Sequence, residues 1–469
     1  MRSPYSADVS ELRDLLATTS ELAADFLESL DERPVRPDVD VEALRRALGG
    51  PLPDTPTDPR TVVTELVRDA DPGITASQGG RYFGFVIGGA TPAALAADWL
   101  TSTWDQNAGL FAISPAAAVV EEVTGPWLAE LLGLPTDATF AFVTGCQMAH
   151  VTALAAARNH VLAAHDWNVE QDGLTGAPPI TVVVGAQRHG TIDRALRFLG
   201  LGAPSVVVQA DDQGRIDPTG LEQELEGGEG PTIVCVQAGE VNTGAFDDLQ
   251  AAADAASSHG AWLHVDGAFG MWAATTPAHR ELVAGIERAD SWTTDMHKWL
   301  NVPYDAAIAF CRHADAHRAA MGSQAAYLVH GADSGFRDPF DWNPESSRRA
   351  RGFATYVALR SLGREGVAEL VEHACAHARR FGSELERLPG CEVLNEIVLN
   401  QVLFRFPSDE ETDAVLRAVQ SSGEAWMSGT QWRGRRAIRI SVSNWSTTDE
   451  DVDRTVAAFA AAADSLAVA

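Results

Sequence analysis

Between about residues 76 and 310 the sequence alternates short β-branched runs with longer Ala- and Leu-rich segments, and this rhythm limits the possible folds more than any other feature. "TVVVGA" is followed by "TIDRALRFLGLG", "TIVCVQA" by "DDLQAAADAASSHG", and then comes "AWLHVD". Unbroken apolar runs are what strands covered on both faces need, whereas a half-exposed sheet would alternate. Strand, helix, strand in this order predicts a mostly parallel sheet between helices. In such sheets ligands gather outside the carboxyl ends of the strands. The residues that close each strand are therefore where chemistry is expected.

The rest of the 469-residue chain attaches to that unit. Residues 1–75 read as a helical arm: "SADVSELRDLLATTSELAADFLESL" has apolar residues at three- and four-residue spacing, and "GGPLPDTPTDPRT" cannot continue a helix. Such an arm is expected to wrap a second subunit. Residues 76–350 form the expected large domain, and its last part, "AAYLVHGADSGFRDPFDWNPESSRR", suits a long functional loop. Residues 351–469 return to helices and short strands and read as a small α+β domain.

A formal net charge of −30 opposes nucleic-acid phosphates and anionic lipid, so neither is an expected partner. No apolar run reaches the roughly 18 to 20 residues that span a bilayer, and "MRSPYSADVSELRDLL" lacks the apolar core of a secretion signal, so the expected compartment is the cytoplasm. Five scattered cysteines with no CxxC pair read as reduced, mostly buried thiols, and no metal site is expected.

Three strand ends carry candidate chemistry. "FAFVTGCQMAHVTALAAAR" runs from a strand through Gly145, Cys146 and Gln147 into a helix, and a small-residue turn opening a helix presents free N–H groups that suit a phosphate or carboxylate. An ordinary turn is the alternative. "AWLHVDGAFG" closes on Asp266, a carboxylate costly to bury unless a cation or polar ligand atom meets it; a turn or cap aspartate is the alternative. "SWTTDMHKWL" holds Lys298, the only lysine for a long distance either way, among Trp292, Met296, Trp299 and Leu300. A snorkelling surface lysine is the alternative there. Together an anion nest, a carboxylate and a desolvated amine suit a cofactor with a phosphate, a protonatable ring nitrogen and an aldehyde, which is pyridoxal 5'-phosphate. Burial is expected to lower the lysine pKa and make the amine reactive.

The chain resembles the fold-type-I pyridoxal-phosphate enzymes, and within them the group II amino-acid decarboxylases, relatives of the aromatic-amino-acid and glutamate decarboxylases. "RYFGFV", "VTGCQMAHVTALAAAR", "QRHGTIDRALRFLGLG", "VNTGAFDDL", "HVDGAFG", "ADSWTTDMHKWL" and "SSRRARGFATYVALRSLGREG" follow the family's order. The resemblance implies an aspartate-aminotransferase-like α/β fold, with a mostly parallel seven-stranded sheet, and a homodimer. It also implies roles. Lys298 matches the Schiff-base lysine and His297 its phosphate-side neighbour. Asp266 matches the partner of the ring nitrogen, Ala268 the small residue beneath the ring, and His189 the histidine stacked on the cofactor face. Cys146 and Gln147 match the phosphate turn, and Thr243 a threonine near the ring oxygen. The turn departs from the family's Ser-Gly-Gly-Thr-Glu-Ala-Asn at Gln147, Met148 and His150.

The implied reaction is decarboxylation of an L-amino acid, with an aminotransferase or a Cα–Cβ lyase as the alternative and a non-catalytic binding protein as a remote one. Arg439 in "RAIRISVSNW" resembles the arginine with which aminotransferases clamp the α-carboxylate, which would oppose decarboxylation if it reached the site. Tyr327, His330 and Phe336 fall where the family keeps its proton donor, usually a tyrosine. Tyr82, Phe83, Phe85, Trp99 and Trp104 supply aromatic material for a pocket or for plain packing, and lean the substrate toward an aromatic or bulky apolar amino acid.

Overall fold

The computed structural model describes residues 9–228, 230–323 and 335–467. Helices α1 (Val9–Glu28), α2 (Val41–Leu48) and α3 (Pro59–Ala70) form the leading arm and contain no buried residue. Asp40 and Asp58 cap α2 and α3 through their side chains. Apolar side chains on α1 and on α4 (Pro92–Trp104) line an open groove of about 520 Å³ that includes Leu27, Leu95 and Trp99.

The main sheet follows from the apolar runs. After α5 (Pro115–Leu131) come β1 (Thr139–Val143), α6 (Cys146–Ala163), the short α7 (Val169–Asp172), β2 (Thr181–Gly185), α8 (Gly190–Phe198), β3 (Val206–Val208), α9 (Pro218–Glu226), β4 (Thr232–Gln237), α10 (Leu249–Ser258), β5 (Trp262–Asp266), β6 (Ser291–Asp295) and β7 (Ala307–Cys311). The seven strands run in the order β1-β7-β6-β5-β4-β2-β3. Only β7 is antiparallel to its neighbours. Every residue of β4, β5 and β6 is buried, as a strand covered on both faces demands. The crossover from β5 to β6 uses short 3-10 turns instead of an α-helix.

Beyond the sheet lie α11 (Ala314–Met321) and α12 (Gly352–Leu385), the latter broken at Gly363, whose φ is +64°. A second, four-stranded sheet in the order β10-β11-β9-β8 is built from β8 (Glu392–Val393), β9 (Gln401–Arg405), β10 (Ser428–Trp432) and β11 (Arg435–Ser441), with α13 (Asp409–Ser422) and α14 (Asp449–Ala467) against it. Among the described residues no helix is long and apolar enough to cross a membrane. All five cysteines are free, four of them buried.

The arginine-rich "SSRRARG" is structural: Arg348 forms a buried ion pair with Glu121, Arg349 meets Asp98 at 2.7 Å and Arg351 meets Asp305 at 3.2 Å. Asn301, three residues past Lys298, ties the two sheets together. Its carbonyl accepts from Thr91 N, and its side-chain amide donates to Ser443 O and accepts from Trp445 N.

Candidate active site

The parallel register brings the ends of β4, β5 and β6 side by side, with Gln237 opposite Asp266 and Asp266 opposite Thr293. A cavity of about 210 Å³ opens at this edge. Gly145, Cys146, Gln147, His189, Asp266, Ala268, His297 and Lys298 all line it, so eight of the residues singled out above meet in one place.

Lys298 is the only lysine in the sequence. Its Nζ lies 3.0 Å from Asp295 Oδ2, the last residue of β6. Asp295 Oδ1 accepts the backbone N–H of Cys146, at 2.7 Å, and faces His297 Nε2 at 3.5 Å. Gly145 caps α6 without a side chain, so the first amide of the helix is free to bond Asp295. Burial lowers the Lys298 pKa, but Asp295 outweighs it and raises the amine above the ordinary lysine range. The expected lowering is therefore reversed, because a carboxylate stands within hydrogen-bond distance. Burial in turn raises the Asp295 carboxyl, and Lys298 and His297 bring it down below its usual value.

Asp266 Oδ1 accepts from Ala268 N at 3.1 Å, and Oδ2 lies 3.5 Å from His150 Nε2. Burial pushes this carboxyl up, yet His150, His189 and Lys298 together hold it well below the carboxylate range. His189 caps α8, and its Nδ1 sits 2.8 Å from Thr191 Oγ1. Burial depresses its pKa and favours the neutral ring. His297 Nδ1 accepts from Ala306 N, so a neutral ring carries its proton on Nε2, toward Asp295.

Thr243 lies outside the cavity lining. Its hydroxyl donates to Gln213 O at 2.7 Å and contacts the buried Glu240, which also accepts from the backbone of Asn242 and Thr243. This turn instead presents Val241 to the cavity. Arg439 is buried on β11 and donates to Val241 O at 3.1 Å; it sits behind the cavity wall and does not line it. Tyr327 and His330 lie outside the described residues, and Phe336 stacks on Phe111 at 4.0 Å.

The aromatic candidates separate. Phe83 is core, edge-on to Phe381. Trp99 lines the groove under the arm, and Trp104 packs on Phe353. Tyr82 stacks on Trp426 at 5.0 Å, and Phe85 meets the same ring at 5.2 Å. Phe85 and Val86 both hold left-handed backbone, φ 56° and 59°, a strain of order 1–3 kcal/mol each that concentrates at functional sites. Tyr304 packs on His297 at 4.4 Å and is half exposed. Burial, helped by Tyr304, pushes the Tyr82 phenol up to about 12. Gly88 follows, so close that a Cβ there would stand 1.9 Å from the Lys298 carbonyl oxygen.

Asp295, His150, Val241 and Tyr304 are site residues that sequence reasoning missed. Asp295 was findable, since it closes a buried strand as Asp266 does.

The donor set fits pyridoxal phosphate: an amine for the aldehyde, a carboxylate held ionised for a protonated ring nitrogen, and a helix N-terminus with His297 beside it for a phosphate. A family profile described as "Pyridoxal-dependent decarboxylase conserved domain" matches residues 42–407. The chain is 26% identical to an aromatic-L-amino-acid decarboxylase of Bacillus atrophaeus, over 100% of this chain and 98% of that one. It is 28% identical to tryptophan decarboxylase 1 of Oryza sativa subsp. japonica, over 94% of this chain and 91% of that one. A crystal structure of Oryza sativa TDC with PLP and tryptamine superposes with a TM-score of 0.91 at 25% identity, covering 99% of this chain and 100% of the other. This chain belongs to the pyridoxal-dependent decarboxylase family.

Proposed function

We propose that this carboxy-lyase removes the α-carboxylate of an aromatic L-amino acid, with pyridoxal phosphate held on Lys298. The observation that carries the reading is the convergence of Asp266 at the end of β5, Asp295 at the end of the adjacent β6, and Lys298 just beyond β6 on one cavity. Bound pyridoxal phosphate supplies an electron sink for the pair left on Cα when the bond to the carboxylate breaks.

The chain's own residues supply placement and charge. Lys298 Nζ holds the aldehyde end, and Asp295 Oδ2, 3.0 Å away, orients the amine. Asp266 stays ionised and pairs with the ring nitrogen. Gly145, Gln147 and His297 hold the phosphate end, with Cys146 shaping the turn while its N–H bonds Asp295, and Ala268 and His189 bound the two faces of the ring. Thr243 acts at one remove, by fixing the turn that presents Val241. Arg439 does not line the cavity, which supports decarboxylation, since that reaction needs the α-carboxylate free of a strong cation.

Aromatic specificity is supported by the cluster of Tyr82, Phe85 and Trp426, by Tyr304 packed on His297, and by the relatives' names. A homodimer is supported by the arm, where Leu12, Leu16, Val62 and Leu66 are all exposed on helices that bury nothing. That area suits a second copy of the chain.

Borohydride reduction of the yellow holoenzyme tests the site. Because Lys298 is the only lysine, the reduced cofactor should be recovered on its peptide and nowhere else, and Lys298→Ala should take no stable label. Label on the N-terminal amine alone, or full activity in Lys298→Ala, would overturn the reading.

A further inference from the structure

Behind Asp266 lies a row of buried polar groups that the proposed function does not use. His150 Nδ1 is 3.0 Å from His264 Nε2, His264 Nδ1 is 2.8 Å from Ser291 Oγ, and Trp262 Nε1 donates to that same Ser291 Oγ at 2.9 Å. His150, His264 and Ser291 are fully buried. His150 Nε2 has no hydrogen bond within normal range, and Asp266 Oδ2 at 3.5 Å is the acceptor it faces. Two fully buried histidines in contact are costly to keep unless their protons are assigned.

The protons can be assigned outward from Asp266. An ionised Asp266 only accepts, so His150 must carry its proton on Nε2, which makes its Nδ1 an acceptor when the ring is neutral. His264 must then donate from Nε2 and accept at Nδ1, so Ser291 donates its hydroxyl proton. The indole is consistent with this: Trp262 can only donate, and Ser291 Oγ can accept from it while giving its own proton to His264. Thr293 Oγ1, 3.3 Å from His150 Nδ1, can reinforce that acceptor. One arrangement of protons serves every contact of the row with both rings neutral, and all the donors point toward Asp266. Burial pushes His264 down to about 3, consistent with a neutral ring.

We infer that His150 is a positioning residue for Asp266: His264 and Ser291 lock its Nε2 proton toward the carboxylate, which keeps Asp266 ionised and oriented for the cofactor's ring nitrogen. The inference rests on the proposed binding of pyridoxal phosphate at this site. The charged and titratable groups acting on Asp266 are His150, His189 and Lys298, and those acting on His264 are His150 and Asp266. Cys146 and Cys235 feel the same carboxylate. His150 is the one that faces Asp266 without lining the cavity.

The test is titration of purified apoprotein with pyridoxal phosphate, read by the visible band across a pH series, for wild type, His150→Leu, His150→Asn and Ser291→Ala. Loss of the N–H that faces the buried carboxylate should weaken binding in His150→Leu by about tenfold or more. It should also move the acid limb of the binding curve to higher pH, because Asp266 protonates more readily. His150→Asn keeps an N–H donor and should recover part of both effects. Ser291→Ala lets His264 turn over its proton assignment, and should shift the acid limb in the same direction by less. A folded His150→Leu with unchanged affinity and acid limb would overturn the inference. If that variant does not fold, Ser291→Ala decides, and an unmoved acid limb there overturns it. Wild type that takes up no pyridoxal phosphate would overturn the proposed function itself, and this inference with it.

Discussion

Asp295 holds Lys298 with one carboxylate oxygen and the first amide of α6 with the other, at 3.0 Å and 2.7 Å. One side chain thereby fixes the end of a strand, the start of a helix and the single amine of the site in mutual register. Removing it should be felt in both stability and chemistry.

Asp295→Ala leaves an ammonium in the cavity without its partner, and breaking such a pair costs about 3 kcal/mol when both charges are largely buried. Asp295→Asn keeps an acceptor for Cys146 N and should lose less. Urea denaturation midpoints of the two apoproteins check this, and equal midpoints in Asp295→Ala and wild type would contradict it.

Acid should destabilise the fold through its buried imidazoles. Burial pushes His264 and His317 down to about 3, from an unfolded value near 6.5. Each folded value lies below the unfolded one, so the stability these neutral rings contribute is fully present above about pH 6.5 and is lost as pH falls toward about 3. In that window each adds a slope of about 1.4 kcal/mol per pH unit. His317 bonds Thr139 and Trp342 O, away from the cavity. His317→Gln should flatten the difference between urea midpoints at pH 5 and pH 7.5, whereas an unchanged difference would count against this.

Gly88 lets the 82–90 segment lie against the backbone of Lys298. A methyl group there would meet the Lys298 carbonyl oxygen at 1.9 Å, a backbone atom that cannot swing aside. Gly88→Ala should cost about 1–3 kcal/mol by overpacking and weaken cofactor retention, measured by gel filtration of the yellow protein. Wild-type stability with full retention would show that the close approach is not needed.

If Phe85 and Trp426 recognise the substrate, Phe85→Ala should raise KM for an aromatic L-amino acid by about tenfold, with a smaller change in kcat. The same variant should barely affect a small apolar amino acid. A kcat loss with unchanged KM would place Phe85 elsewhere in the cycle.

The exposed apolar face of the arm predicts association. Leu12→Glu with Leu16→Glu introduces charge on α1, where the wild-type residues are 48% and 53% exposed. Sedimentation should show a dimer for wild type and a shift toward monomer for the double variant. A wild-type monomer would end the homodimer reading.

Much of the site was legible because strand ends on one edge of such a sheet converge: Asp266, Lys298 and the Gly145 turn are far apart in sequence but close or follow β5, β6 and β1 onto one cavity. Contacts set by side-chain reach were not legible. Thr243 stands two residues past Val241, and only the fold of the turn decides that Glu240 captures the hydroxyl while the valine faces the cavity. The rise in the Lys298 pKa escaped for the same reason, since burial alone predicts a fall and the sign is reversed by the 3.0 Å contact with Asp295. Nothing in "GCQMAH" or "WLHVD" says that His150 and His264 touch; that needs β5 and α6 packed together.

The central claim is that the bond broken is the one from Cα to the carboxylate of an aromatic L-amino acid. The direct measurement is incubation of the holoenzyme with L-tryptophan, L-tyrosine and L-phenylalanine labelled at the carboxyl carbon, with trapped carbon dioxide counted against the organic product. The account predicts labelled carbon dioxide released with repeated turnover from at least one of the three, matched one for one by product, and none from Lys298→Ala. Label retained in a keto acid, or no turnover of any of the three, would contradict it.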